Sequence, residues 1–82
     1  MKTMLTLRPI SDTDDSIRGV HDYLYEVGEL PPGERALIGQ NGMTGRWQIL
    51  LSKDGVQEDW AGGYENAEDI LAALQIEVEA AS

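Results

Sequence analysis

Residues 11–30, SDTDDSIRGVHDYLYEVGEL, carry more weight for the architecture than any other stretch of the chain. Ile17, Val20, Leu24 and Val27 recur at the three- and four-residue spacing of an apolar helix stripe, with His21 on its edge. Ser11, Asp12 and Thr13 are competent N-caps, and Asp14 or Asp15 stands three residues further on, where a capping box places its acid. Gly28 and the pair Pro31 and Pro32 supply a stop. The spacing predicts a helix of about fifteen residues.

The segments on either side read as strands. Before it, KTMLTLR (residues 2–8) is rich in strand formers, puts Leu5 and Leu7 on one face, and ends before Pro9. After it, a PPG turn leads into RALIGQ, then into a loop, NGMTG, whose residues tolerate positive φ. RWQILLS is the clearest strand, with Trp47, Ile49 and Leu51 on one face. Asp54-Gly55 is a two-residue hairpin signal, because a type I′ turn needs positive φ at both central positions. A regular hairpin about that turn pairs Leu51 with Glu58 and Ile49 with Trp60, makes a strand of Val56 to Ala61, and places Trp60 in the core. It leaves Trp47 opposite Gly62, and sends Gln57 and Asp59 to the other face with a solvated Leu50. Gly62 and Gly63 end that strand. Asn66 caps a last helix with the stripe Ala67, Ile70, Leu71, Leu74 and Val78, and Ile76 falls off it. The expected fold is α+β: a single domain over 1–82, in the order β-α-β-β-β-α, with an antiparallel sheet and two helices packed on it.

Composition sets the class of function. A chain of 82 residues with 41% hydrophobic side chains can bury one core and no more. It has no cysteine, so neither a disulfide framework nor a thiolate nucleophile is available, in keeping with a reducing cytoplasm. MKTMLTLRPI is too polar for a signal peptide, and no run approaches the ~18 apolar residues of a membrane span. A soluble, cytoplasmic protein is expected. The net charge is −9, and it is unevenly spread: residues 1–53 hold seven acids and six bases, whereas residues 54–82 hold eight acids and no base. Nucleic acid and anionic membranes share that sign and are repelled; a basic protein surface is the natural attractive partner.

Chemistry motifs fail on inspection. DTDDSIRGVHDY opens like a calcium loop but places Ile17 where the glycine belongs and Tyr23 where the bidentate Glu belongs. GQNGMTG leads into a strand, so no helix N-terminus follows to cradle a phosphate. His21 has no recognisable nucleophile and orienting partner, and Glu58 and Asp59 occupy adjacent strand positions that point apart. The sequence therefore predicts no enzyme, no catalytic residues, no cofactor and no metal.

Three family resemblances bear on this. In element order, residues 13–80 resemble the double-stranded RNA-binding domain, whose last helix opens with a basic segment; here the matching residues are Glu65, Asn66, Ala67, Glu68 and Asp69, the opposite sign. WQILLSKDG…YENAEDILAAL is similar to the strand-strand-helix of HicB-type antitoxins. Being tiny, acidic, cysteine-free and poor in motifs, the whole chain resembles phage-encoded anti-CRISPR proteins. That last resemblance implies a CRISPR effector or nuclease as partner, blocked at its nucleic-acid channel or at another subunit surface.

Candidate contact residues follow from subtracting the acids that local structure explains. Asp54 belongs to a turn, and Glu65, Glu68 and Asp69 belong to a helix start. Among the remainder, Asp22, Glu26 and Glu29 at i, i+4, i+7 form an acidic line on the expected first helix, with Tyr25 beside it as an anchor. Glu58 and Asp59 lie on the last strand, Asp59 on the solvated face. The expectation is an acidic inhibitor that mimics nucleic acid; the alternative is a small antitoxin or accessory subunit that folds onto a cognate protein.

Overall fold

The computed structural model describes residues 4–10 and 19–81. The proposed caps Ser11, Asp12 and Thr13, the aspartates of the calcium-loop comparison and Ile17 lie outside the described residues. Gly19 and Val20 form a turn, and from His21 to Gly28 the helix expected there is a strand.

The elements are β1 (Thr6–Pro9), β2 (His21–Gly28), β3 (Glu34–Asn41), β4 (Trp47–Lys53), β5 (Val56–Gln57), β6 (Ala61–Tyr64) and a helix, α1 (Ala67–Ala81). They form a six-stranded antiparallel sheet in the order β1-β2-β3-β4-β5, with β6 also pairing β4. The expected β-α-β-β-β-α order with two helices is therefore corrected to a strand meander with, among the described residues, one C-terminal helix.

The register of β2 explains why a strand carries helix-like spacing. His21 sits opposite Asn41 and Leu24 opposite Gly39, so β2 spends three residues where β3 spends two. That bulge turns His21 and Leu24 to the same face. Beyond it the ladder is regular, and Val27 faces the other way, paired with Leu7 of β1. Leu24 and Val27 are both buried, on opposite sides of the sheet. Two-sided burial plus one extra residue thus reproduces the three-residue recurrence of an amphipathic helix.

The central hairpin follows its sequence pattern. β3 and β4 stay in register across seven pairs, from Glu34↔Lys53 to Gln40↔Trp47. Ala36, Ile38, Trp47, Ile49 and Leu51 fall on the face that α1 covers with Ala67, Ile70 and Leu74, and Leu71 and Val78 pack at its margin. Leu5 and Leu7 join this core from the β1 side, and the Leu5 backbone N–H donates to Gln75 Oε1 at 2.8 Å. Ile38 is completely buried, and Ile76 is exposed, as the stripe predicts.

The last strand departs from regularity. Asp54 (φ 51°) and Gly55 (φ 84°) make the expected turn, Lys53 faces Val56, and the Glu58 N–H donates to the Leu51 carbonyl at 2.8 Å. Then the register slips. Ile49 faces Ala61 instead of Trp60, and Trp47 faces Tyr64 instead of Gly62. Gly62, at φ 90°, supplies the conformation that a glycine bulge uses. A one-residue slip moves a side chain to the opposite face, so Trp60 leaves the helix side of the sheet. Its ring stacks on His21, centroids 3.8 Å apart and planes at 20°. It reaches over Gly39, where an added Cβ would lie 3.2 Å from Trp60 Cη2 and 2.7 Å from Leu24 Cδ2. The reverse face is thus covered as well, and Leu50 on that face is buried rather than solvated.

Candidate interaction surface

On β2 the acidic line dissolves. In a strand, neighbouring residues point to opposite faces, so Asp22, Tyr25, Glu26 and Glu29 cannot share one. Asp22 sits in the bulge, its carboxylate over Gly42. Tyr25 turns to the helix face, half-buried, with its ring 5.8 Å from that of Trp47. Glu26 projects from the reverse face and pairs with Arg8 of β1 at 3.5 Å. Glu29 lies past the strand in a turn conformation, φ 69°. The face they were expected to share belonged to a helix, whereas His21–Gly28 is a strand, and Tyr25 packs half-buried against Trp47.

The other two candidates fare differently. Glu58 and Asp59 are exposed on the excursion between β5 and β6. Glu65 follows β6, and Glu68 and Asp69 occupy the first turn of α1; all three are exposed. Of these acids and Glu77 on the same helix, Glu77 shares a space with Tyr64 of β6, whereas Glu68 lies on the other flank of the helix beside Met4 and Leu5. None of these acidic side chains has an ion-pair or hydrogen-bond partner among the described residues. The dipole at the helix start favours Glu68 and Asp69. It disfavours Glu79 in the last turn, which holds no base. β2 and β6 are separated by β3 and β4, roughly 14 Å at ~4.8 Å per strand, so the β2 acids stand apart from Glu58, Asp59 and Glu65.

The slip that carries Trp60 away also leaves a gap behind it. On the helix side, Ile49, Leu51, Tyr64, Ile70, Ala73, Leu74 and Glu77 surround a space of about 110 Å³. This is the side of Ile49 on which a regular hairpin would have placed the indole. On the reverse face, Arg35, Ser52 and Gln57 surround a smaller recess of about 70 Å³ over Leu37 and Leu50. Residue-by-residue reading of the acids missed the first space, because it depends on a bulge. The pair Gly62-Gly63, read only as a strand end, was the available signal: glycine inside a strand pattern often marks a bulge.

His21 is buried and belongs to a framework. Its Nε2 donates to Gln48 Oε1 at 2.9 Å, Asn41 Nδ2 donates to the same oxygen at 3.3 Å, and Gln48 Nε2 donates to the Gly62 carbonyl at 3.1 Å. These bonds tie β2, β3, β4 and β6 together around Trp60. No group of three or more His, Cys, Asp or Glu side chains that could hold a metal occurs among the described residues, and no described helix is long and apolar enough to cross a membrane. Compared with protein-family models, with curated proteins and with solved structures, the chain matches none.

Proposed function

We propose that this chain is a non-enzymatic interaction protein that occupies a basic, nucleic-acid-binding surface of another protein, its carboxylates standing where phosphates would lie. A CRISPR effector or nuclease is the partner class implied by the anti-CRISPR resemblance. The observation that carries the reading is charge segregation: from Asp54 to the end every charged side chain is acidic. Those residues build β5 and β6, which pair β4 at one end of the sheet, and α1, which lies on one of its faces. A field of one sign raises association rates by roughly 10- to 1,000-fold at low salt, while single exposed ion pairs contribute only about 0.2–1 kcal/mol. Charge brings the partner in, and apolar contact holds it.

The test is capture of the partner from host lysate on the immobilised full chain, followed by binding kinetics and nucleic-acid competition. The association rate should fall at least tenfold, by the screening of long-range charge, as salt rises from about 0.05 to 0.5 M. Nucleic acid should compete. Because the β2 acids stand apart from Glu58 and Asp59, and Glu26 is paired with Arg8, the Glu58→Lys, Asp59→Lys double variant should lose more affinity than Asp22→Lys, Glu26→Lys. A salt-independent complex that still binds nucleic acid would defeat the proposal.

The accessory-subunit alternative has one observation in its favour. Met4, Leu71, Ala72 and Ile76 line an apolar groove of about 360 Å³ along α1, and Met4 and Ile76 are each more than 60% exposed. Salt-insensitive binding blocked by Ile76→Asp would select that reading.

A further inference from the structure

The outer edge of β6 and the gap beside Ile49 adjoin one another. β6 pairs with β4 alone, so its second edge carries no ladder among the described residues, and all four of its residues are exposed. An exposed edge presents unpaired backbone N–H and C=O groups to any extended chain. Ala61 and Gly62 add almost no side-chain bulk, which lets another backbone approach; the Gly62 and Gly63 carbonyls are held by Gln48 Nε2 and Arg46 Nη1, so an added strand would pair through the remaining backbone groups of β6.

What would pair there is constrained by the walls. A strand added beside β6 sends alternate side chains to the helix side, where the gap lies between Ile49, Leu51, Tyr64, Ile70, Leu74 and Glu77. The walls are apolar except for the Tyr64 hydroxyl and the Glu77 carboxylate, which is exposed and has no ion-pair partner among the described residues. A purely apolar side chain entering the gap would desolvate Glu77 without compensating it. A lysine or arginine matches both features: its methylene stem covers apolar wall while its cation stays at the carboxylate. A second copy of this chain fits poorly, because two-fold antiparallel pairing at this edge would set Glu58 and Asp59 of one copy near Glu65 of the other.

We infer that the β6 edge and the adjoining gap form a docking site for an extended, basic segment of a partner protein, added as a strand, with one lysine or arginine stem in the gap and its charge on Glu77. This rests on the basic-partner reading above and adds the mode of capture to it. The sheet already ends at β6 in a broken strand, so the incoming segment would complete the helix side where Trp60 is missing.

The experiment is an NMR titration of the full chain, isotope-labelled on amides and methyls. The probes are a capped nine-residue peptide alternating threonine and lysine, and the same peptide with every lysine replaced by glutamine. The lysine peptide should shift the amides of Ala61–Tyr64 and the methyls of Ile49 and Leu74, and the glutamine peptide should not. Ala73→Leu, which fills the gap, should weaken binding about tenfold, and Glu77→Gln about three- to tenfold, while Asp22→Asn leaves it unchanged. Amide spectra of each variant report whether the fold is kept. If the lysine peptide binds but its shifts lie elsewhere, or if affinity survives both Ala73→Leu and Glu77→Gln, the docking site is wrong and the broader acidic-surface proposal stands. If neither peptide binds at low salt, the docking site is wrong, and the basic-partner reading stands or falls on the salt dependence and nucleic-acid competition of the captured complex.

Discussion

On one face of the sheet a fifteen-residue helix lies across Ile38, Ala36 and their neighbours, and Ile38 has no solvent exposure. On the other face an indole lies flat on His21 and over Gly39, and the same three-residue neighbourhood, Leu24, His21 and Leu50, is buried beneath no described helix. The first closure is spread over many aliphatic contacts. Among the described residues, the second depends on one ring, a glycine that admits it, and a bulge that delivers it. Burial built from many parts is robust to position and sensitive to volume, whereas burial built from one ring should be lost as a unit.

The helix side should show the larger penalty. Ile38→Ala leaves a cavity in the best-packed position and is expected to cost about 3–4 kcal/mol, read as a drop in urea midpoint at unchanged slope. A loss under about 1 kcal/mol would mean that α1 settles into the space and that the face is plastic. Trp60→Ala should cost less, about 2 kcal/mol, since the ring is only half-buried and Gly39 beneath it has no side chain to lose contact. Its distinguishing sign is local: hydrogen exchange should quicken in β6 and in the His21 end of β2 while the β3–β4 ladder stays protected. Uniform loss of protection would show that the two faces fold as one closure. Smallest of all, Arg8→Ala removes the pair with Glu26 on the reverse face. With those side chains 68% and 33% exposed, the change should stay under about 0.5 kcal/mol and vanish in 1 M salt.

The same contrast separates what was legible in the chain from what was not. RWQILLS was legible because Trp47, Ile49 and Leu51 keep period two where β4 pairs regularly with β3, and Asp54-Gly55 has few other uses than a tight hairpin. The C-terminal helix kept its stripe because one face meets the sheet and the other meets solvent. HDYLYEV could not be read this way. Its apolar residues sit three apart since a bulge lies between His21 and Leu24 and both sides of β2 are covered, and local spacing does not distinguish that from a helix. The acidic line on Asp22, Glu26 and Glu29 fell with the helix that organised it. Glu58 and Asp59 remained exposed acids, although the regular strand assigned to them is interrupted there.

By itself the sequence determined the central hairpin, the last helix and the concentration of negative charge after Lys53, because turn chemistry, period and charge are local properties carried by each residue. Only the tertiary structure decided that His21–Gly28 is a strand, that Trp60 closes the reverse face, and that a gap beside Glu77 adjoins an open edge. Those outcomes depend on register. One extra residue in a strand costs little locally, yet it reverses every side chain beyond it, and which register wins is set by what the opposite strand and both faces can bury.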